Sequence, residues 1–149
     1  MIPGTDVYAD SNFAPWINAD GSLVALTRHA VWSSRDWRNV SMYLVSGPWK
    51  DLGEDPFVWR DSTDGVYHAI IHVGRLNTTG LHYFSQDGKE WSQSPSKGAV
   101  YTSGGLACRE RPHIVLNEGG RVIALTNGAA AISCHGGSDH SITLLQKMR

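Results

Sequence analysis

The chain carries almost no excess of either charge: 13 Lys and Arg stand against 14 Asp and Glu, a formal net charge of −1. That balance offers no basic footprint for nucleic acid. No apolar run approaches the roughly 18 residues needed to cross a bilayer as a helix, so no membrane partner is expected. Met1-Ile2-Pro3-Gly4 lacks a basic segment leading into an apolar one, so no secretory leader is visible and the compartment stays open. Two cysteines, Cys108 and Cys134, are too few for a disulfide framework or a thiolate zinc site; they either pair once or stay as buried thiols. Long Ala/Leu/Lys/Glu runs are also missing, and no ten residues show helical periodicity.

What is present points to strands. The 149 residues suit a single domain spanning 1–149, and 41% apolar with 18% charged residues is the balance of a folded chain. Sixteen Gly, six Trp and five Tyr fit short strands joined by tight turns. Segments 22–27, 40–45, 66–72, 81–85, 121–126 and 141–145 are rich in β-branched and aromatic types, and several alternate apolar with polar residues. Asp20-Gly21, Asp64-Gly65, Asp87-Gly88 and Gly119-Gly120 stand between them as hairpin turns. The expected class is all-β.

A repeat narrows this further. Ala14-Pro15-Trp16-Ile17 with Asp20-Gly21 and the strand ending Ala25-Leu26-Thr27 aligns with Arg111-Pro112-His113-Ile114, Gly119-Gly120 and Ala124-Leu125-Thr126. Asp55-Pro56-Phe57-Val58, with Asp64-Gly65 and the strand after it, is a third copy. The spacing is near that of a four-stranded propeller blade, roughly 40–50 residues. Antiparallel blade-like units are expected near Asn12, Glu54 and Arg109. A β-sandwich with similar hairpins is the alternative.

Three segments carry a resemblance to a known superfamily: Glu54-Asp55-Pro56-Phe57-Val58-Trp59-Arg60-Asp61, Ser85-Gln86-Asp87-Gly88-Lys89-Glu90-Trp91 and Arg109-Glu110-Arg111-Pro112-His113. Together they resemble the five-bladed β-propeller glycoside hydrolases of families 43, 32 and 68. The resemblance implies a central funnel that takes a carbohydrate, with Asp55 as transition-state stabiliser and Glu110 as general acid. No cofactor and no metal are expected. Asn12, Trp16, Glu54, Phe57, Arg109, Arg111 and His113 become candidate sugar contacts around that pair.

The chemistry explains why such residues would be used. Glycosidic cleavage takes two carboxyl groups, one protonating the leaving oxygen and one acting as base or nucleophile. An ion pair from Glu110 to Arg109 or Arg111 would lower its pKa, whereas Asp55 facing the same funnel would raise it. In an extended segment both arginines alternate to the face opposite Glu110.

Two departures from the superfamily matter. A five-bladed ring needs about twice this length, so three blades are expected here. Where the superfamily's first-blade Asp would stand the chain has Asn12, and an amide cannot act as a base. An incomplete ring leaves a sheet face and edges uncovered, with Trp16, Trp32, Trp37, Trp49 and Trp59 as candidates for that surface, so a homo-oligomer, most simply a dimer, is expected. The alternative function is a carbohydrate-binding or interaction module that keeps the scaffold without the reaction.

Other clusters point less far. His68 and His72 would meet on a helix, but on a strand they lie about 13 Å apart on one face. The loop Cys134-His135-Gly136-Gly137-Ser138-Asp139-His140 reads as a polar Gly-rich connection.

Overall fold

The computed structural model describes residues 12–38, 43–46, 53–73, 79–95, 99–131 and 141–148. Among them every regular element is a strand. β1 (Ala14–Ile17), β2 (Leu23–Leu26), β3 (Val31–Ser34) and β4 (Tyr43–Ser46) form one antiparallel sheet in chain order. β5 (Glu54–Arg60), β6 (Tyr67–Val73), β7 (Thr79–Ser85) and β8 (Ser92–Gln93) form a second. β9 (Cys108–Leu116), β10 (Val122–Ala130) and β11 (Ser141–Lys147) form a third, three-stranded among the described residues. Each strand neighbours its successor, so each sheet is a meander in the manner of a propeller blade.

Packing follows from the side-chain alternation of the strands. One face of the second blade, with Val58, Ala69, Ile71 and Tyr83, meets Ala14, Leu26 and Val31 of the first. The opposite face places Trp59 and Ile70 against Ile114 and Leu125 of the third, with Tyr101 between. Covered on both sides, β6 is apolar and buried for most of its length. Leu26, Val31, Ile70 and Leu125 are almost fully buried, each contributing about 1.5–3 kcal/mol. β5 packs on both β1 and β9, whereas β1 and β9 do not touch each other. The blades form an open arc, a partial β-propeller.

The Ser85–Trp91 segment is a turn device. Ser85 Oγ accepts from the Gly88 amide at 2.8 Å, Asp87 Oδ1 accepts from Lys89 N and Glu90 N, and Trp91 Nε1 donates to the Gly88 carbonyl. Gly88 has φ +74°, and a Cβ there would press on Val24 of the first blade at 2.6 Å. The motif therefore serves packing between blades.

The inner strands of blades two and three share one irregularity. Glu54 pairs with His72 and Phe57 with Ile70, so Asp55 and Pro56 oppose Ile71 alone. Glu110 pairs with Gly128 and His113 with Thr126, so Arg111 and Pro112 oppose Asn127 alone. Both are β-bulges, where a proline's missing N–H costs the ladder nothing. In both, the residue before the proline has a left-handed backbone: φ is 51° at Asp55 and 53° at Arg111.

The repeat is present, but its prolines are not equivalent. The backbone amides of Asn18, Asp61 and Asn117 each close the first hairpin of their blade. Counted back six residues from those turns, Asn12, Asp55 and Arg111 fall in one place, followed by Phe13, Pro56 and Pro112. Pro15 lies two residues further on, paired in regular register with Ala25.

The tryptophans are not the uncovered surface as a group. Trp59 is buried, Trp16 and Trp32 are half-buried and Trp37 is exposed; Trp49 lies outside the described residues. Among the described residues the exposed large apolar side chains are Phe13, Ile17 and Trp37 in the first blade and Val115, Ile123, Ile142 and Leu145 in the third. Cys108 is disulfide-bonded rather than a free thiol; Cys134, the other cysteine, lies outside the described residues.

Candidate funnel site

At the inner ends of the three blades lies a cavity of about 460 Å³ lined by Asn12, Phe13, Asp55, Pro56, Arg111, Pro112 and His113. Each blade thus supplies residues from the same two positions, six and five before the first hairpin, and the third blade adds His113. Asn12 brings an amide, Asp55 a carboxyl and Arg111 a guanidinium, with the His113 imidazole beside them. Phe13, 45% exposed, and the two prolines give this polar set an apolar wall.

The bulges determine which side chains arrive there. A left-handed backbone at a residue with a Cβ costs about 1–2 kcal/mol, least for Asp and Asn, whose short side chains bond locally. Asp55 therefore sits in a tolerated place, whereas Arg111 occupies one that glycine would fill at lower cost. The bulge also breaks the alternation expected of an extended Arg109-Glu110-Arg111. Arg111 swings beside Glu110, its Nε 4.0 Å from Glu110 Oε1, with the guanidinium side chain 74% exposed. Arg109 turns inward instead. It donates from Nε to Asn127 Oδ1 at 2.9 Å and from Nη2 to Gln146 Oε1 at 2.7 Å, with a longer bond to the Thr102 carbonyl.

Arg109 belongs to a buried layer behind the cavity. Its guanidinium lies 4.7 Å from the Tyr101 ring centre, and Tyr101 Oη meets His72 Nδ1 at 3.4 Å. Asn127, opposite the second bulge, donates from Nδ2 to the Glu110 carbonyl at 3.2 Å. Burial pushes the Tyr101 phenol well above its ordinary range, opposed by the Arg109 charge, so the hydroxyl stays neutral. This layer ties the strand opposite one bulge to the strand opposite the other. No motif announced it: Tyr101 and Asn127 sit in unremarkable contexts, and only tertiary pairing brings them together.

Burial is also the main reason that the Asp55 carboxyl titrates above its ordinary value of 3.8. The negative charges of Glu54 and Glu110 push the same way, while Arg111 and His72 oppose them. Asp55 and Glu110 therefore lie within electrostatic reach of each other. Glu54 is partly exposed and 4.0 Å from Arg28.

Of the remaining candidates, Phe57 meets His113 in a tilted ring contact, with ring centres 4.7 Å apart and planes at 53°, and Trp16 packs into the cores between blades. The structure thus places Asn12, Asp55, Arg111 and His113 around one cavity, with Glu54 and Glu110 adjoining it in the chain. Trp16 and Arg109 are committed to packing and internal bonding. Phe13 is the lining residue that the proline alignment missed; counting back from the turns would have found it.

A second cavity of about 550 Å³ lies between blades two and three, mostly apolar, with Trp59, His68 and His82 on one wall. His68 Nδ1 and His82 Nε2 are 2.9 Å apart, and Asp64 Oδ2 is 3.7 Å from His68 Nε2. His68 and His72 do not converge: one faces His82, the other Tyr101.

No protein-family model matches the chain, and no curated protein sequence matches it. Solved structures do resemble it. A protein described as an exo-β-1,3-galactanase from Bifidobacterium bifidum aligns over 79% of this chain and 44% of its own, with a TM-score of 0.54 at 12% identity. A Bombyx mori GH32 β-fructofuranosidase solved with sucrose aligns over 89% of this chain and 32% of its own, with a TM-score of 0.55 at 15% identity. The chain spans less than half the length of either. At these identities the likeness establishes the fold: blades of a β-propeller like those of glycoside hydrolases.

Proposed function

We propose that the funnel binds a glycan, with Glu110 as proton donor and Asp55 as the half-buried carboxyl that stabilises charge at the sugar. One observation carries this reading: three successive blades deliver Asn12, Asp55 and Arg111 from the same position into one cavity. Polar groups at fixed spacing beside an apolar wall suit a sugar ring, which has hydroxyls at its edge and an apolar face. Loss of turnover of chromogenic glycosides on Glu110→Gln, with binding retained, supports the acid role. Turnover unchanged by that substitution overturns it.

A second reading has its own support. Asn12 takes the place in the first blade that Asp55 takes in the second, and an amide supplies no base. A funnel with this set binds a glycan without cleaving it. Calorimetric binding of a sugar that is never hydrolysed supports this reading over the first.

The reading extends to assembly. Among the described residues the first and third blades each leave one face without a neighbouring blade, and the third exposes Val115, Ile123, Ile142 and Leu145. Self-association that covers these faces predicts a dimer by light scattering that Leu145→Lys weakens; a monomer at tens of micromolar overturns it.

A further inference from the structure

The geometry points to Arg111 as an anion receptor within the funnel, so that the glycan it serves is acidic, carrying a carboxylate or a sulfate. This rests on the reading of the funnel as a glycan site and names the class of sugar it takes.

Three observations carry it. Arg111 is held in a left-handed backbone directly before Pro112, in a bulge where glycine would fit without strain. Strain kept at the wall of a cavity indicates that the side chain is needed there. Next, the guanidinium is largely uncommitted. Its ion pair with Glu110 spans 4.0 Å and the side chain is 74% exposed, whereas the donors of Arg109, two residues away, go to Asn127, Gln146 and Thr102. An exposed pair at that distance is weak and readily exchanged for a ligand anion. Last, the surroundings suit an anion on a sugar. Arg111 shares the cavity with Asn12 and His113, both able to donate, and with Phe13 and the two prolines as an apolar floor. The planar fork of a guanidinium meets a carboxylate or sulfate through two parallel bonds, which a neutral hydroxyl cannot match.

The test is calorimetric titration of the full chain with three probes: trigalacturonate, neutral galactotriose and a sulfated galactotriose. The anionic probes are expected to bind at least tenfold more tightly than the neutral one at low salt, with the gap shrinking as salt rises. Arg111→Gln is expected to bring all three within about twofold of each other, and Arg111→Lys to restore part of the preference. Whichever anionic probe binds more tightly identifies the group. Equal binding of neutral and anionic probes to the unmodified chain overturns the inference and leaves the glycan reading standing. Binding of none of the three overturns both. A preference that survives Arg111→Gln also overturns it. Arg111→Gly, which removes charge and strain together, guards against misfolding as the cause of any loss.

Discussion

Asp55 and Arg111 occupy the same position in two successive blades. Each directly precedes a proline, each has φ near +50°, each faces a single residue across a bulge, and both line one cavity. They differ in chemistry, one a half-buried acid and the other an exposed base.

That equivalence predicts unequal costs. Glycine at 111 removes the left-handed penalty and loses no buried contact, so Arg111→Gly should stabilise the fold by about 1 kcal/mol. For a chain of this size the melting temperature should rise by roughly 2–4 °C. Thermal unfolding followed by circular dichroism reads this directly, and a drop of similar size would show that the arginine stabilises the bulge.

Asp55 should make stability depend on pH in the reverse of the usual carboxylate sense. Its folded pKa lies above the ordinary 3.8, because burial and then Glu54 oppose ionisation. Its contribution is fully present below 3.8 and is lost as pH rises through the raised value. Asp55→Asn keeps the shape, tolerates a left-handed backbone and never ionises. The variant should gain on the unmodified chain between pH 3.5 and pH 7. Melting curves at both ends decide it; a gap that does not widen with pH refutes the burial account.

Asn127 should be costly to lose. It bonds Arg109 Nε through Oδ1 and the Glu110 carbonyl through Nδ2, and it is 2% exposed. Asn127→Ala strands a buried guanidinium N–H and a carbonyl at once, a loss of about 3 kcal/mol. The matching fall in melting temperature is about 9 °C. Denaturant unfolding gives the energy, and a cost under about 1 kcal/mol would mean that water replaces the side chain.

The pair His68 and His82 predicts acid sensitivity away from the funnel. Burial chiefly, and then the charge of His68, hold His82 below the ordinary 6.5. The unfolded chain takes up a proton at His82 that the folded chain resists. The stabilisation is complete above pH 6.5 and is lost as pH falls toward the depressed value. His82→Gln should flatten the fall in melting temperature between pH 7 and pH 5. Parallel curves for variant and parent would show that His82 does not control it.

Much of this was legible in the sequence. Segments 22–27, 66–72, 81–85, 121–126 and 141–145 all contain strands where alternation and Asp-Gly turns placed them, because a strand's period and a turn's backbone are local properties. The strand expected over 40–45 is seen from Tyr43, the residues before it lying outside the described ones. The site was legible less evenly. Asp55 and Arg111 reach one cavity through bulges that no glycine marks. The prolines misled the repeat alignment, since Pro15 sits in a regular ladder whereas Pro56 and Pro112 sit in bulges. Arg109 and Arg111 look interchangeable in the chain, yet beside the bulge one is buried and internally bonded while the other lies exposed at the cavity.

The common spacing from hairpin to funnel makes each blade a socket of fixed depth. The sheet behind it sets where the tip is held, and the identity of the tip is left free. Amide, acid and base already occupy three such sockets on one scaffold. The chemical character of this cavity can therefore be rewritten one residue at a time, at 12, 55 and 111, while the hydrogen-bonded ladders behind each tip remain as they are.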